Sequence, residues 1–77
     1  MLYYLYLKKQ VSKGQSDYYT LTRMNFDGEV RPGMTITFNP LQLYEFGREH
    51  PELRGMGSTY RITNVYACDG MGGITLE

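Results

Sequence analysis

Tryptophan is absent from this 77-residue chain, and cysteine and histidine occur once each. A single cysteine excludes an internal disulfide, and one cysteine with one histidine falls short of the ligand set of a structural zinc site. Net charge is missing as well, because 8 Lys and Arg balance 8 Asp and Glu. A neutral chain leaves a weak electrostatic footprint for nucleic acid or an anionic membrane surface. No apolar run approaches the roughly 18 residues of a membrane-spanning helix. The apolar "LYYLYL" near the start lacks a basic stretch before it and a small-residue cleavage site after it, so it does not read as a signal peptide. A free thiol without an export signal gives an expectation of a cytoplasmic location.

What is present is ordinary for a globular domain: hydrophobic residues make up 42% and charged residues 21%. The length allows one domain, residues 1–77, with one core. Such a core rarely supplies more than about 3–5 kcal/mol without a disulfide or metal. Association with a partner or a second copy would add buried area. Charge is neutral only in total. Residues 1–31 carry Lys8, Lys9, Lys13, Arg23 and Arg31 against Asp17, Asp27 and Glu29, whereas residues 39–53 carry Arg48 against Glu45, Glu49 and Glu52.

Residues 2–9 alternate, with Tyr3, Leu5 and Leu7 on one face and Leu2, Tyr4, Tyr6 and Lys8 on the other, which predicts a strand. "SKGQSD" (12–17) reads as a polar loop that returns the chain as a hairpin into a second strand over 18–26, where Tyr19 and Leu21 oppose Tyr18, Thr20 and Thr22. Turn signals "DG" (27–28) and "PG" (32–33) lead into "MTITF" (34–38), with Met34, Ile36 and Phe38 expected in the core.

"NPLQLYEFGREHPEL" (39–53) predicts the single helix. Asn39 can cap it, Pro40 fits the first helical position, and Gln42 completes a capping box. Leu43, Phe46, Gly47 and His50 share its apolar face, and Pro51 stops it or starts a further turn through Leu53. "TYRITNVYAC" (59–68) reads as a strand whose mixed phase calls for a bulge near Asn64. "DGMGG" (69–73) reads as a turn and "ITLE" (74–77) as a last strand. The expected fold is α+β in the order β-β-β-α-β-β, with antiparallel neighbours: a five-stranded sheet or a partly closed barrel packed on one helix. The rhythm "VRPGMTITF … YRITNV … GITLE" resembles small SH3-like barrels in its turns and strands, and a shared fold of that kind implies no function.

The candidate chemistry is thin. "GMG" (55–57) and "GMGG" (70–73) are each followed by a strand, whereas a phosphate-binding loop needs a helix there, so both read as turns. Ser12, Ser16 and Ser58 lie in predicted loops without a nucleophile motif. Cys68 and His50 could form a nucleophile and base only if folded together and oriented by a third group. The simpler reading makes Cys68 a small filler and His50 a helix-end residue. Glu45, Glu49 and Glu52 fall along one helix face, either as a solvated stripe or as an acidic docking face. No cofactor or metal is expected.

Tyr4, Tyr6, Lys8 and Tyr18 remain. They are expected on the face of the sheet turned away from the core, where tyrosines either stabilise cross-strand pairs or form a partner-binding patch. The expectation is therefore a non-enzymatic protein-binding module that uses Tyr4, Tyr6, Lys8 and Tyr18, the acidic residues Glu45, Glu49 and Glu52, or both. A second copy of the chain is one candidate partner. Small neutral domains without catalytic motifs occur among phage and mobile-element inhibitors of host machines, anti-CRISPR proteins included. The alternatives are a small β-barrel that binds single-stranded nucleic acid, with Lys8, Lys9, Arg23 and Arg61 among its aromatics, and a structural phage or assembly adaptor.

Overall fold

The computed structural model describes residues 1–77. Its elements are β1 (Leu2–Ser12), β2 (Gln15–Asn25), β3 (Thr35–Thr37), α1 (Pro40–Glu49), a 3-10 turn (Pro51–Leu53), β4 (Thr59–Cys68) and β5 (Met71–Leu76). They form one five-stranded sheet in the spatial order β2-β1-β5-β4-β3. The α+β class and the element order match the sequence reading.

Two features of the expected fold need correction. The sheet is open, with β2 and β3 as its edges, and does not close into an SH3-like barrel. Its central pair is also parallel: β1 lies beside β5 with Leu5 opposite Ile74 and Leu7 opposite Leu76. A parallel pair needs a long crossover, which the segment carrying β3, α1 and β4 provides. Residues 72–76 of β5 are buried continuously, the inward ones under the helix layer and the outward Gly73 and Thr75 beneath the Tyr66 side chain.

The β1–β2 hairpin is longer than its hydrophobic pattern. Its turn is only Lys13–Gly14, with Gly14 at φ 77, so most of the expected loop is strand. Residues 9–15 are all exposed, and alternation has nothing to mark there. A register shift between Leu5 and Tyr6 makes Leu21 an extra residue in β2. The second hairpin turns on Asp69–Gly70, both with positive φ (51 and 78), as the type I′ geometry favoured by Asp-Gly requires. The expected bulge in β4 is present, between Ile62 and Asn64.

Helix α1 begins with a complete capping box: the Gln42 N–H donates to Asn39 Oδ1 at 2.8 Å, and the Asn39 N–H donates to Gln42 Oε1 at 2.9 Å. It ends at Glu49, ahead of Pro51. Phe46 is buried in the core, where the Phe38 ring meets it edge-on at 5.0 Å, and Gly47 is buried against Arg54, whose Nε donates to the Gly47 carbonyl oxygen at 3.3 Å. His50 closes the helix layer onto the edge strand, its Nε2 lying 3.0 Å from the Thr20 carbonyl oxygen. That contact and the Leu21 bulge interrupt β2 as a template for another strand.

The core lies entirely between the sheet and the helix layer, and Leu5, Ile62, Ile74 and Leu76 are its fully buried side chains. Val30, from the irregular segment between β2 and β3, closes one side. Met34 departs from expectation: it is 45% exposed, and its sulfur accepts the Arg31 N–H at 3.3 Å. Strand β3 begins one residue later, so the alternation that buries Ile36 and Phe38 does not extend back to Met34.

Candidate functional site

The second face of the sheet has no layer over it. Opposed residues of paired strands project to the same side, so the register defines this outer face row by row. At one end Tyr18, Lys8, Glu77 and Arg61 lie abreast, with Lys8 Nζ 3.9 Å from Glu77 and the Glu77 backbone paired to Arg61. The next row is Thr20, Tyr6, Thr75 and Asn64, and after it come Arg23, Tyr4, Gly73 and Tyr66. Asn25, Leu2, Met71 and Cys68 complete the far end.

Four of the predicted site residues, Tyr4, Tyr6, Lys8 and Tyr18, are thus brought together. Tyr18 is 58% exposed, while Tyr4 and Tyr6 are half-buried by their neighbours on the sheet. The sequence reading missed Tyr66, which is 50% exposed on the same face. The signal was available: once a bulge puts Val65 inward, Tyr66 must point outward.

Tyr66 is held in place. Its hydroxyl lies 2.8 Å from Thr75 Oγ1, and its ring rests over the bare backbone of Gly73, where an added Cβ would come within 2.7 Å of it. The same Cβ would stand 3.5 Å from the Tyr6 ring. Tyr6, Tyr66, Cys68 and Met71 therefore wall a shallow notch of about 270 Å³ floored by Gly72 and Gly73. Glycine 72 does the corresponding service on the inner face, where the Tyr3 ring occupies the space of its missing side chain. Both glycines belong to β5 and not to the expected turn, because each makes room for a ring.

The acidic residues are elsewhere. Glu45 and Glu49 are on α1, on the opposite side of the sheet, and Glu45 Oε2 accepts from Arg48 Nη2 at 2.6 Å. Glu52 lies beyond the helix, in the 3-10 turn, so the three do not form one helical stripe. Glu45 and Glu49 are thus separated from the tyrosine face, whereas Glu52 shares a cleft with Lys8, Lys9 and Glu77 at the end of the sheet.

Cys68 and His50 are on opposite sides of the sheet. Cys68 is exposed beside the turn, its Sγ 3.6 Å from Asp69 Oδ2, whereas His50 packs edge-on against Tyr19 at 5.3 Å. No group of three or more His, Cys, Asp or Glu side chains gathers as a metal site, and no helix is long and apolar enough to cross a membrane. Comparison with protein-family models, curated proteins and solved structures finds no match to this chain.

Burial raises the pKa of the Tyr60 phenol above its ordinary value, against a smaller lowering by the Gly57 N–H. Tyr19 is raised too, by desolvation first and then by Asp17 and Glu52. For a phenol, a raised folded-state pKa favours the neutral form, so its contribution is complete below the unfolded value of about 10 and declines as pH rises through the folded value. Thermal melts are expected to change little between pH 7 and 9 on this account and to lose stability above about pH 10. A Tyr60→Phe variant should show a shallower alkaline loss than the parent.

Proposed function

We propose that this protein is a non-enzymatic binding module whose open sheet face holds a partner protein. The observation that supports this reading is the uncovered face itself, with four tyrosines in register and one of them fixed by Thr75. Aromatic side chains presented rigidly on a sheet lose little entropy on docking and are enriched among interface hot spots. The small size and the lack of an assembled catalytic group fit an inhibitor or adaptor, including a phage- or mobile-element-encoded blocker of a host machine. A cytoplasmic setting belongs to the same proposal. Single-stranded nucleic acid is the weaker occupant, because Glu77 sits between Lys8 and Arg61 and would face phosphates.

Replacing Tyr4 and Tyr6 together by serine tests this reading. The double variant is expected to remain folded, losing cross-strand contacts worth about 0.2–1 kcal/mol each. Its partner binding should weaken by about 2 kcal/mol or more. A denaturant melt beside a pull-down separates the two effects. Unchanged binding by a folded double variant would remove this face from the proposal.

A further inference from the structure

We propose that two copies of this protein pair through the free edge of β4, antiparallel and centred on Tyr66, so that their sheets join into one. The pairing uses the edge of the sheet and leaves open the face that the partner-protein reading needs.

Strand β4 is longer than the strand beside it. Its 10 residues run from Thr59 to Cys68, whereas β3 pairs only with Thr59, Tyr60 and Arg61. Gly33 and Met34 extend that cover to Ile62, and it stops there. The irregular segment before β3 makes no backbone hydrogen bond to residues 63–68, which are exposed apart from the half-buried Val65. The tight turn at Asp69 and Gly70 closes Cys68 against Met71, so that Cys68, Tyr66 and Asn64 bond β5. The alternate residues Val65 and Ala67 therefore direct their backbone groups outward. The Val65 N–H accordingly meets only the side chain of its neighbour, donating to Asn64 Oδ1 at 3.0 Å.

The opposite edge is protected and this one is not. Strand β2 carries Asp17 and Arg23, the bulge at Leu21 and the His50 contact on Thr20. Residues 63–68 include no charge and no proline. The Tyr66 ring leans away from the edge, over Gly73 and toward Thr75, and leaves the approach open. Another extended strand completes such an edge.

Length and charge select a second copy as that strand. The free stretch is bounded by Gly33 and Met34 at one end and by the Asp69 turn at the other. With Tyr66 opposite Tyr66 of the second copy, Val65 faces Ala67, Asn64 faces Cys68 and Thr63 faces Asp69. Each turn then ends where the cover of the other copy begins. The outward groups of Val65 and Ala67 bond one another in this register, the Ala67 carbonyl replacing Asn64 at the Val65 N–H. No like charges stand opposite. Antiparallel neighbours in one sheet are related by an axis normal to it, so both tyrosine faces lie on the same side of the joined sheet.

The test combines sedimentation with cysteine pairing in the full chain. Sedimentation from low micromolar to near-millimolar concentration is expected to show a reversible monomer–dimer equilibrium. Ala67→Pro removes an outward N–H at an edge position, so it should keep the urea melt of the parent and weaken the dimer by about 10-fold or more. Residues in a non-hydrogen-bonded antiparallel pair have Cα atoms about 4.5 Å apart, within the roughly 4.4–6.8 Å that a disulfide spans. Tyr66→Cys combined with Cys68→Ser should therefore oxidise to a linked dimer. Asn64→Cys should link through the native Cys68 and fail to link once Cys68 is serine.

A protein that stays monomeric over the whole range and forms none of these links overturns the proposal. So does a dimer that is indifferent to Ala67→Pro, or one that links through Tyr18→Cys on β2 in place of Tyr66→Cys.

Discussion

Leu5→Ala is expected to leave most of the protein unfolded at room temperature. Leu5 is fully buried on a central strand and faces Ile74, also fully buried, across the parallel pair. Truncating a buried leucine costs about 2–5 kcal/mol, depending on how far the surroundings collapse. Collapse is restricted here, because β1 is pinned by neighbours on both sides. A domain of this size has a total of about 3–5 kcal/mol to lose. Circular dichroism in increasing urea, compared with the Tyr4/Tyr6 serine variant, measures the difference. A cooperative melt close to that of the parent would mean that Leu5 does not hold the core.

The second large effect is expected at a glycine. In Gly72→Ala the new Cβ would overlap the Tyr3 ring and stand 3.1 Å from the Tyr66 carbonyl oxygen. Neither neighbour is free to retreat: Tyr3 is buried and meets Phe26 edge-on at 5.6 Å, and the carbonyl belongs to the backbone of β4. Overpacking of this kind costs about 1–3 kcal/mol, and the backbone contact puts the change at the upper end. At Gly73 the obstructing group is chiefly the Tyr66 ring, which can swing into solvent, so Gly73→Ala should cost clearly less. Equal midpoints for the two variants in parallel urea melts would contradict this assignment of the two faces.

How much of this was legible in the sequence follows from where hydrophobic alternation was informative. Tyr3, Leu5 and Leu7 alternate against Tyr4, Tyr6 and Lys8, and that phase alone places one set in the core and the other on the open face. The capping box at Asn39 and Gln42 gave the start of the helix, and Pro51 its end. The parallel β1–β5 pair was not legible, since partner choice in a sheet depends on the crossover and not on local pattern. "DGMGG" misled for a related reason. Only Asp69 and Gly70 turn, whereas Gly72 and Gly73 are strand residues whose missing side chains are filled by rings distant in sequence. Glu52 was joined to Glu45 and Glu49 by helical spacing that the chain abandons at His50.

Site-specific photo-cross-linking tests most directly the claim that the open sheet face is where a partner protein binds. Benzoylphenylalanine is placed at Tyr66 in one variant and at Glu49, on the helix side, in another, and both are irradiated in cells in which the protein acts. The account predicts a discrete, nuclease-resistant protein adduct from the Tyr66 position and none from the Glu49 position. Adducts from Glu49 alone, or an adduct from Tyr66 that nuclease removes, would contradict it.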